Sequence, residues 1–187
     1  MIPWVVAGIS VLALVVMLAM NRRGAPAAVP VADAESREVR PPDISQLSPR
    51  DAADRLFDRI MRLQEEGKRD SVNVFAPMAS TAYAMVAPLD ADARFHLGAI
   101  GIATGDSALA RLALAQADTI LAGRPTHLLG LVLGAQAAAA LGDRTALRAF
   151  NRRLLDARGR ELAQPLDEYL QHRPVIDSAL RTARTTR

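Results

Sequence analysis

The three histidines, His96, His127 and His172, are the side chains best suited to hold a metal or move a proton, and none stands in HExxH or another ligand spacing. Taken singly, each reads as a surface or groove residue of a helix, so no metal centre is expected. Gly98, Gly101 and Gly105 have the glycine density of a phosphate loop. They lie inside an apolar helical run, with no strand before them and no Lys-Ser/Thr pair after. Gly105-Asp106-Ser107 has the small residues of a hydrolase serine turn but neither a feeding strand nor a histidine in context to serve it. Glu65-Glu66 reads as a solvated helix end. Catalysis has no anchor in the sequence, and no enzyme activity or cofactor is expected.

The remaining candidate chemistry is positive charge. Of the 23 basic residues only Lys68 is lysine. Between Asp143 and Arg187, ten arginines face six acids, so the basic end is the C-terminal third. Arg144, Arg148 and Arg152 recur at i, i+4 and i+8 and share one helix face. Such a face is either simply solvated or meets an acidic partner surface or anionic lipid headgroups. No aromatic residues interleave with the arginines, which argues against nucleic acid.

The elements that must carry these residues are helical. Aromatics make up 4% of the chain, and Ala and Leu are abundant, a composition for close helix packing rather than a β-sandwich. No cysteine is present, which excludes disulfides and thiolate metal sites. Ile2 to Met20 holds no charge, and as a helix of about 28 Å it would cross a hydrocarbon layer of about 30 Å. Trp4 near one end and Arg22 and Arg23 after the other suit the two interfaces. A cleaved signal peptide fits less well, because nothing basic precedes the run except the terminal amine. Residues 1–22 are thus expected to form a single-pass anchor in a cell inner membrane. The paired arginines favour a cytoplasmic location for the rest of the chain, with the periplasmic side as the alternative.

Residues 23–48 form a Pro/Ala-rich linker; counted from Asn21 to Ser48, the stretch would reach about 87 Å as polyproline II and about 30 Å as a flexible coil. Ser48-Pro49 then reads as an N-cap followed by proline at the first helical position. Leu56, Phe57, Ile60, Met61 and Leu63 follow at helical spacing, and Gly67 closes the run. A second helix is expected from near Pro77 to just before Pro88. Further apolar runs cover Ala91 to Thr104, Ala108 to Leu121, a stretch capped by Thr126 and reaching Leu141, and Ala146 to Leu155 with an end near Gly159. Shorter helices are expected over Leu166 to His172 and Val175 to Ala183. The fold class is all-α, with residues 49–158 as the helical domain and 159–187 as basic capping helices.

Within that domain, Leu97-Gly98, Gly105-Asp106, Ala110 and Ala117 occupy one helix–turn–helix unit. Leu133-Gly134, Ala146 and Phe150 repeat the pattern 36 residues on. The arrangement resembles the tetratricopeptide repeat, a 34-residue helix pair, although the aromatic near the start of that family's repeats is missing. The resemblance implies about three stacked helix pairs, with Gly98 and Ala110 at a close helix approach, Gly105 ending a helix and Asp106 capping the next. It also implies a concave face that binds peptides or protein subunits, for which Arg94, His96, His127 and Gln136 are candidate contacts. The expected function is a non-catalytic, membrane-anchored scaffold or accessory subunit contacting other subunits of a respiratory, photosynthetic or envelope-assembly complex. The alternative is a tethered chaperone-like or regulatory module that holds client peptides transiently.

Overall fold

The computed structural model describes residues 46–163 and 165–186, and among these every regular element is a helix. In chain order they are α1 (Pro49–Glu65), α2 (Arg69–Ala84), α3 (Ala91–Ala103), α4 (Ser107–Gly123), α5 (Leu128–Ala140), α6 (Arg144–Ala163), α7 (Asp167–Gln171) and α8 (Arg173–Thr185). The expected membrane anchor, with Trp4, Arg22 and Arg23, and nearly all of the expected linker lie outside the described residues. No helix among the described residues is long and apolar enough to cross a membrane.

Three hairpins, α1–α2, α3–α4 and α5–α6, follow one another along the chain, and α1 packs on α3 as α3 packs on α5. Each hairpin turns through a glycine in the left-handed region: Gly67 (φ +72°), Gly105 (φ +76°) and Gly142 (φ +71°). After the first and third first helices, the amide two residues past the cap reaches back five positions, from Lys68 to Leu63 and from Asp143 to Ala138, both at 2.9 Å. That closure satisfies carbonyls a helix end would otherwise leave bare, and it needs a residue without the Cβ penalty of left-handed backbone. The next helix is capped at once. Asp106 accepts from the amides of Ala108 and Leu109, and Asp143 from those of Thr145 and Ala146. At the entry to α1, Ser48 Oγ accepts from the Asp51 amide, with Pro49 at the first turn.

Several helix boundaries differ from those read in the sequence. α2 begins at Arg69 rather than near Pro77, which lies inside it. Proline is tolerated there because Pro77 is exposed and the Asn73 carbonyl it leaves without a helix donor lies on an exposed turn. Thr126 does not cap α5; the N-cap position is His127, and the Thr126 hydroxyl instead donates to Glu161 Oε1. α6 runs on through Gly159 to Ala163. Gly159 is exposed, with nothing within 4 Å of where a Cβ would stand, so the helix passes it at only the usual entropic cost of about 0.5–1 kcal/mol.

The core forms two apolar clusters that meet at α3. One gathers α1 and α2 around Leu56, Ile60, Phe75 and Tyr83, with Ala93 and Ile100 from α3. The other gathers α4, α5, α6 and α8 around Leu129, Leu131, Leu133, Leu154 and Ile176, with Phe95 from α3. α3 is therefore apolar on two faces. α5, which carries no charge and has ten of its 13 residues buried, is covered nearly all round.

Glycines set the spacing between helices. A Cβ at Gly98 would lie 2.7 Å from Leu133 Cδ2, so Gly98 accommodates the next first helix rather than Ala110 of its own hairpin. The close approach within α3–α4 is at Gly101, where a Cβ would come within 3.0 Å of the Leu109 carbonyl oxygen. At Gly134 a Cβ would stand 2.4 Å from Phe150 Cε1. Ala110 and Ala117 are buried, Leu97 and Ala146 half-buried.

Candidate functional site

Three places on this scaffold differ from ordinary core and surface. The first is an apolar cleft of about 780 Å³ between α2 and α4, floored by α3. Ala76 and Pro77 line one wall, Leu97 and Gly101 the floor, and Leu109 and Leu112 the other wall. Gly98 and Gly101 both lie along this floor. Leu112 is 60% exposed and Leu109 36%, an unusual outlay of aliphatic surface on one stretch of helix. Arg94, from α3, donates to Gln116 Oε1 at 3.0 Å, and Gln116 lines the cleft.

The second is a partly buried polar network where α1, α2 and α3 meet the start of α8. His96 is 6% exposed and lies flat against Phe57, with ring centroids 3.8 Å apart. Its Nδ1 stands 2.7 Å from the Tyr83 hydroxyl and 3.1 Å from Asp54 Oδ1, and that hydroxyl donates to the same carboxylate oxygen at 2.7 Å. With Asp54 accepting on this side, the ring proton belongs on Nδ1 and the lone pair on Nε2. That Nε2 faces His172 Nε2 at 3.0 Å and Asp92 Oδ1 at 3.6 Å, while His172 Nε2 is 2.7 Å from Asp92 Oδ1. Arg50 closes the network from α1, donating to Asp54, Asp90 and Asp92.

Charges here respond as the contacts dictate. Burial works to raise the Asp54 carboxyl, but hydrogen bonds from His96, Tyr83 and Arg50 overcome it and hold Asp54 well below the usual carboxylate range. Asp92 is lowered in the same way, burial being outweighed by the His172 hydrogen bond and by the charges of His96, His172 and Arg50. Burial and the neighbouring Asp54 push the Tyr83 phenol far up, so it stays protonated as a donor.

A third, smaller cluster holds α6 and α7 to the start of α5. Glu161, 1% exposed, accepts from Thr126, from Arg124 and from the Tyr169 hydroxyl at 2.8 Å, and that hydroxyl accepts the Leu128 amide at 3.0 Å. His127 Nε2 lies 3.2 Å from Glu168 Oε1, and its buried Nδ1 has no hydrogen-bond partner among the described residues. Burial lowers the His127 pKa despite Glu168.

His96 and His127, read from the sequence as groove positions, are therefore interior residues. Each is drawn inward by a carboxylate from another helix. Gln136 is half-buried in a cleft between α5, α6 and α8, and Arg144, Arg148 and Arg152 are exposed along α6 as their spacing implies. The histidines looked unrelated because His96 and His172 are 76 positions apart. One half of their meeting was present in the sequence as Asp92 and His96, an i, i+4 pair on one helix face. The other half depends on how α8 docks, which no local spacing encodes.

Comparison with known proteins finds no matching family model, no similar curated protein and no similar solved structure.

Proposed function

We propose that the chain is a membrane-tethered binding module of tetratricopeptide-like build, whose cleft between α2 and α4 receives an apolar or amphipathic segment of another subunit in a membrane complex. The observation that carries this reading is the cleft itself: about 780 Å³, walled by exposed Leu109 and Leu112. Its lining is mainly aliphatic, and a helix or extended peptide with spaced apolar anchors would cover it. No activity is assigned to the chain, and its role is to hold a partner. The uncharged run Ile2–Met20 supports the tether, which would keep the domain near the bilayer and raise its effective concentration toward other membrane proteins. The exposed arginines of α6 suit an acidic flank on the same partner or the headgroups beside it.

The test is the behaviour of the full chain extracted from its native membrane in mild detergent. It should migrate with a larger assembly at fixed stoichiometry. Leu112→Arg, on an exposed position, should release it while leaving its thermal melt unchanged. A monomeric, partner-free parent protein, or a Leu112→Arg variant that stays in the assembly, would overturn the cleft as the contact.

A further inference from the structure

The geometry points to a divalent transition-metal site of the zinc class formed by Asp92 Oδ1, His96 Nε2 and His172 Nε2. The three atoms come from α3 and from the residue that opens α8. Their separations are 2.7, 3.0 and 3.6 Å. A circle through them has a radius of about 1.8 Å, so an ion held about 2.1 Å from each would sit about 1 Å out of their plane. An ideal tetrahedral site with such bonds spaces its ligand atoms about 3.4 Å apart, so the 2.7 Å and 3.0 Å pairs would open by a few tenths of an ångström on binding, with the fourth position left to water or to a partner's side chain. Two imidazoles and one carboxylate suit zinc and its neighbours in the first transition row; magnesium and calcium favour all-oxygen shells.

Three features around these atoms are those a metal centre needs and a simple hydrogen-bonded clasp does not. The far nitrogen of His96 is already held by a carboxylate, Asp54, with Tyr83 as second partner, which fixes the ring and aims the Nε2 lone pair at the other two atoms. Phe57 stacked on His96 and Phe95 beside His172, centroids 4.9 Å apart, lock both ring planes. Three carboxylates, Asp54, Asp90 and Asp92, share the single guanidinium of Arg50, a surplus of two acids over the one permanent cation they contact. A dication would balance that surplus. Arg50 occupies the second oxygen of Asp92, which leaves Oδ1 as the ligand atom. Asp92 and His172 are 13% and 11% exposed in their side chains, so the site is shielded yet open to entry from solvent. Binding would displace the proton that lies between His172 and Asp92 and pin α8 to α3. The role is structural: an ion that fastens the closing helix to the repeat core.

The test uses the purified full chain in detergent, stripped with chelator and given zinc(II) or cobalt(II) alone. Equilibrium dialysis should find one zinc per chain, and cobalt should develop the intense visible bands of four- or five-coordination rather than the faint ones of the hexa-aquo ion. Zinc should raise the Tm, and His172→Gln should lose at least tenfold in zinc affinity while His127→Gln, outside the cluster, keeps it. A parent protein that takes up no zinc shows a hydrogen-bonded clasp only and overturns the site. So does a folded His172→Gln that binds as tightly as the parent, or a His127→Gln that loses binding to the same degree. The cobalt spectrum of the unmutated protein decides the matter by itself if a variant does not fold. The cleft on α2–α4 is a separate surface, and its reading stands or falls on its own experiment.

Discussion

Tyr169 joins two helices through a single oxygen: its hydroxyl accepts the amide of Leu128 at the start of α5 and donates to Glu161 of α6. Both partners are buried, so each loses water as well as a partner when that oxygen is removed. Tyr169→Phe should therefore destabilise the domain by about 1–3 kcal/mol, the cost of leaving a buried amide unsatisfied. Urea melts of the soluble domain check this, and a variant within about 0.5 kcal/mol of the parent would show that the hydroxyl carries little.

Two glycines of neighbouring helices should respond to alanine with opposite signs. At Gly134 the new Cβ would stand 2.4 Å from the Phe150 ring, and Gly134→Ala should cost about 1–3 kcal/mol through overpacking. At Gly159 the Cβ meets nothing within 4 Å, and Gly159→Ala should stabilise by about 0.5–1 kcal/mol. Thermal melts that move in the same direction for both would contradict these helix contacts.

Acid should weaken the fold in two steps. His127 has a lowered folded pKa, chiefly from burial, with Glu168 and Glu161 opposing and Arg124 assisting. As pH falls below the unfolded value of 6.5, the unfolded chain takes up a proton that the folded one resists, so stability falls. Glu161 is also lowered: burial acts to raise it, but hydrogen bonds from Thr126, Tyr169 and Arg124 prevail. Its contribution is fully present above the unfolded value of 4.5 and is lost as pH drops through the lower, folded value. Denaturant melts at about pH 7.5, about 5.5 and about 4 should show both losses. Glu161→Gln should reduce the second loss, to which Asp54 and Asp92 also contribute, and should not lessen the first.

Removal of the uncharged N-terminal run should convert the protein from membrane-bound to soluble. The full chain should remain in the pellet after an alkaline carbonate wash. A chain that begins at Ser48 retains the oxygen that caps α1 and should fold in buffer with the same helix content. Release of the full chain by carbonate would rule out the anchor.

The sequence was most readable where one residue type has one backbone use. Gly67, Gly105 and Gly142 stood out as stops because left-handed backbone at a helix end selects glycine, and Asp106 stood out as a cap because its short carboxylate reaches the next amides. Apolar spacing located α1. Legibility failed where long-range packing decides. Pro77 has the look of a helix start, but the apolar contacts of Val72, Phe75 and Ala76 carry α2 well upstream of it. Thr126 has the look of a cap, yet Glu161, 35 positions on, takes its hydroxyl. The same limit hid the convergence of Asp92, His96 and His172, since α3 and α8 are neighbours only after everything between them has folded.

The near-complete burial of α5 has a consequence during synthesis. When Leu128–Ala140 emerges from a ribosome, α3 and α4 are already available to cover one side of it, but α6 and α8 are still to be made. At about 5–20 residues per second, the 42 residues from Arg144 to Thr185 take roughly 2–8 s. For those seconds the most apolar segment of the domain is a half-covered helix without a single charge to keep it from other nascent chains. Within this domain the greatest demand for a holding chaperone falls in that interval, and a stalled codon between α5 and α8 would prolong it.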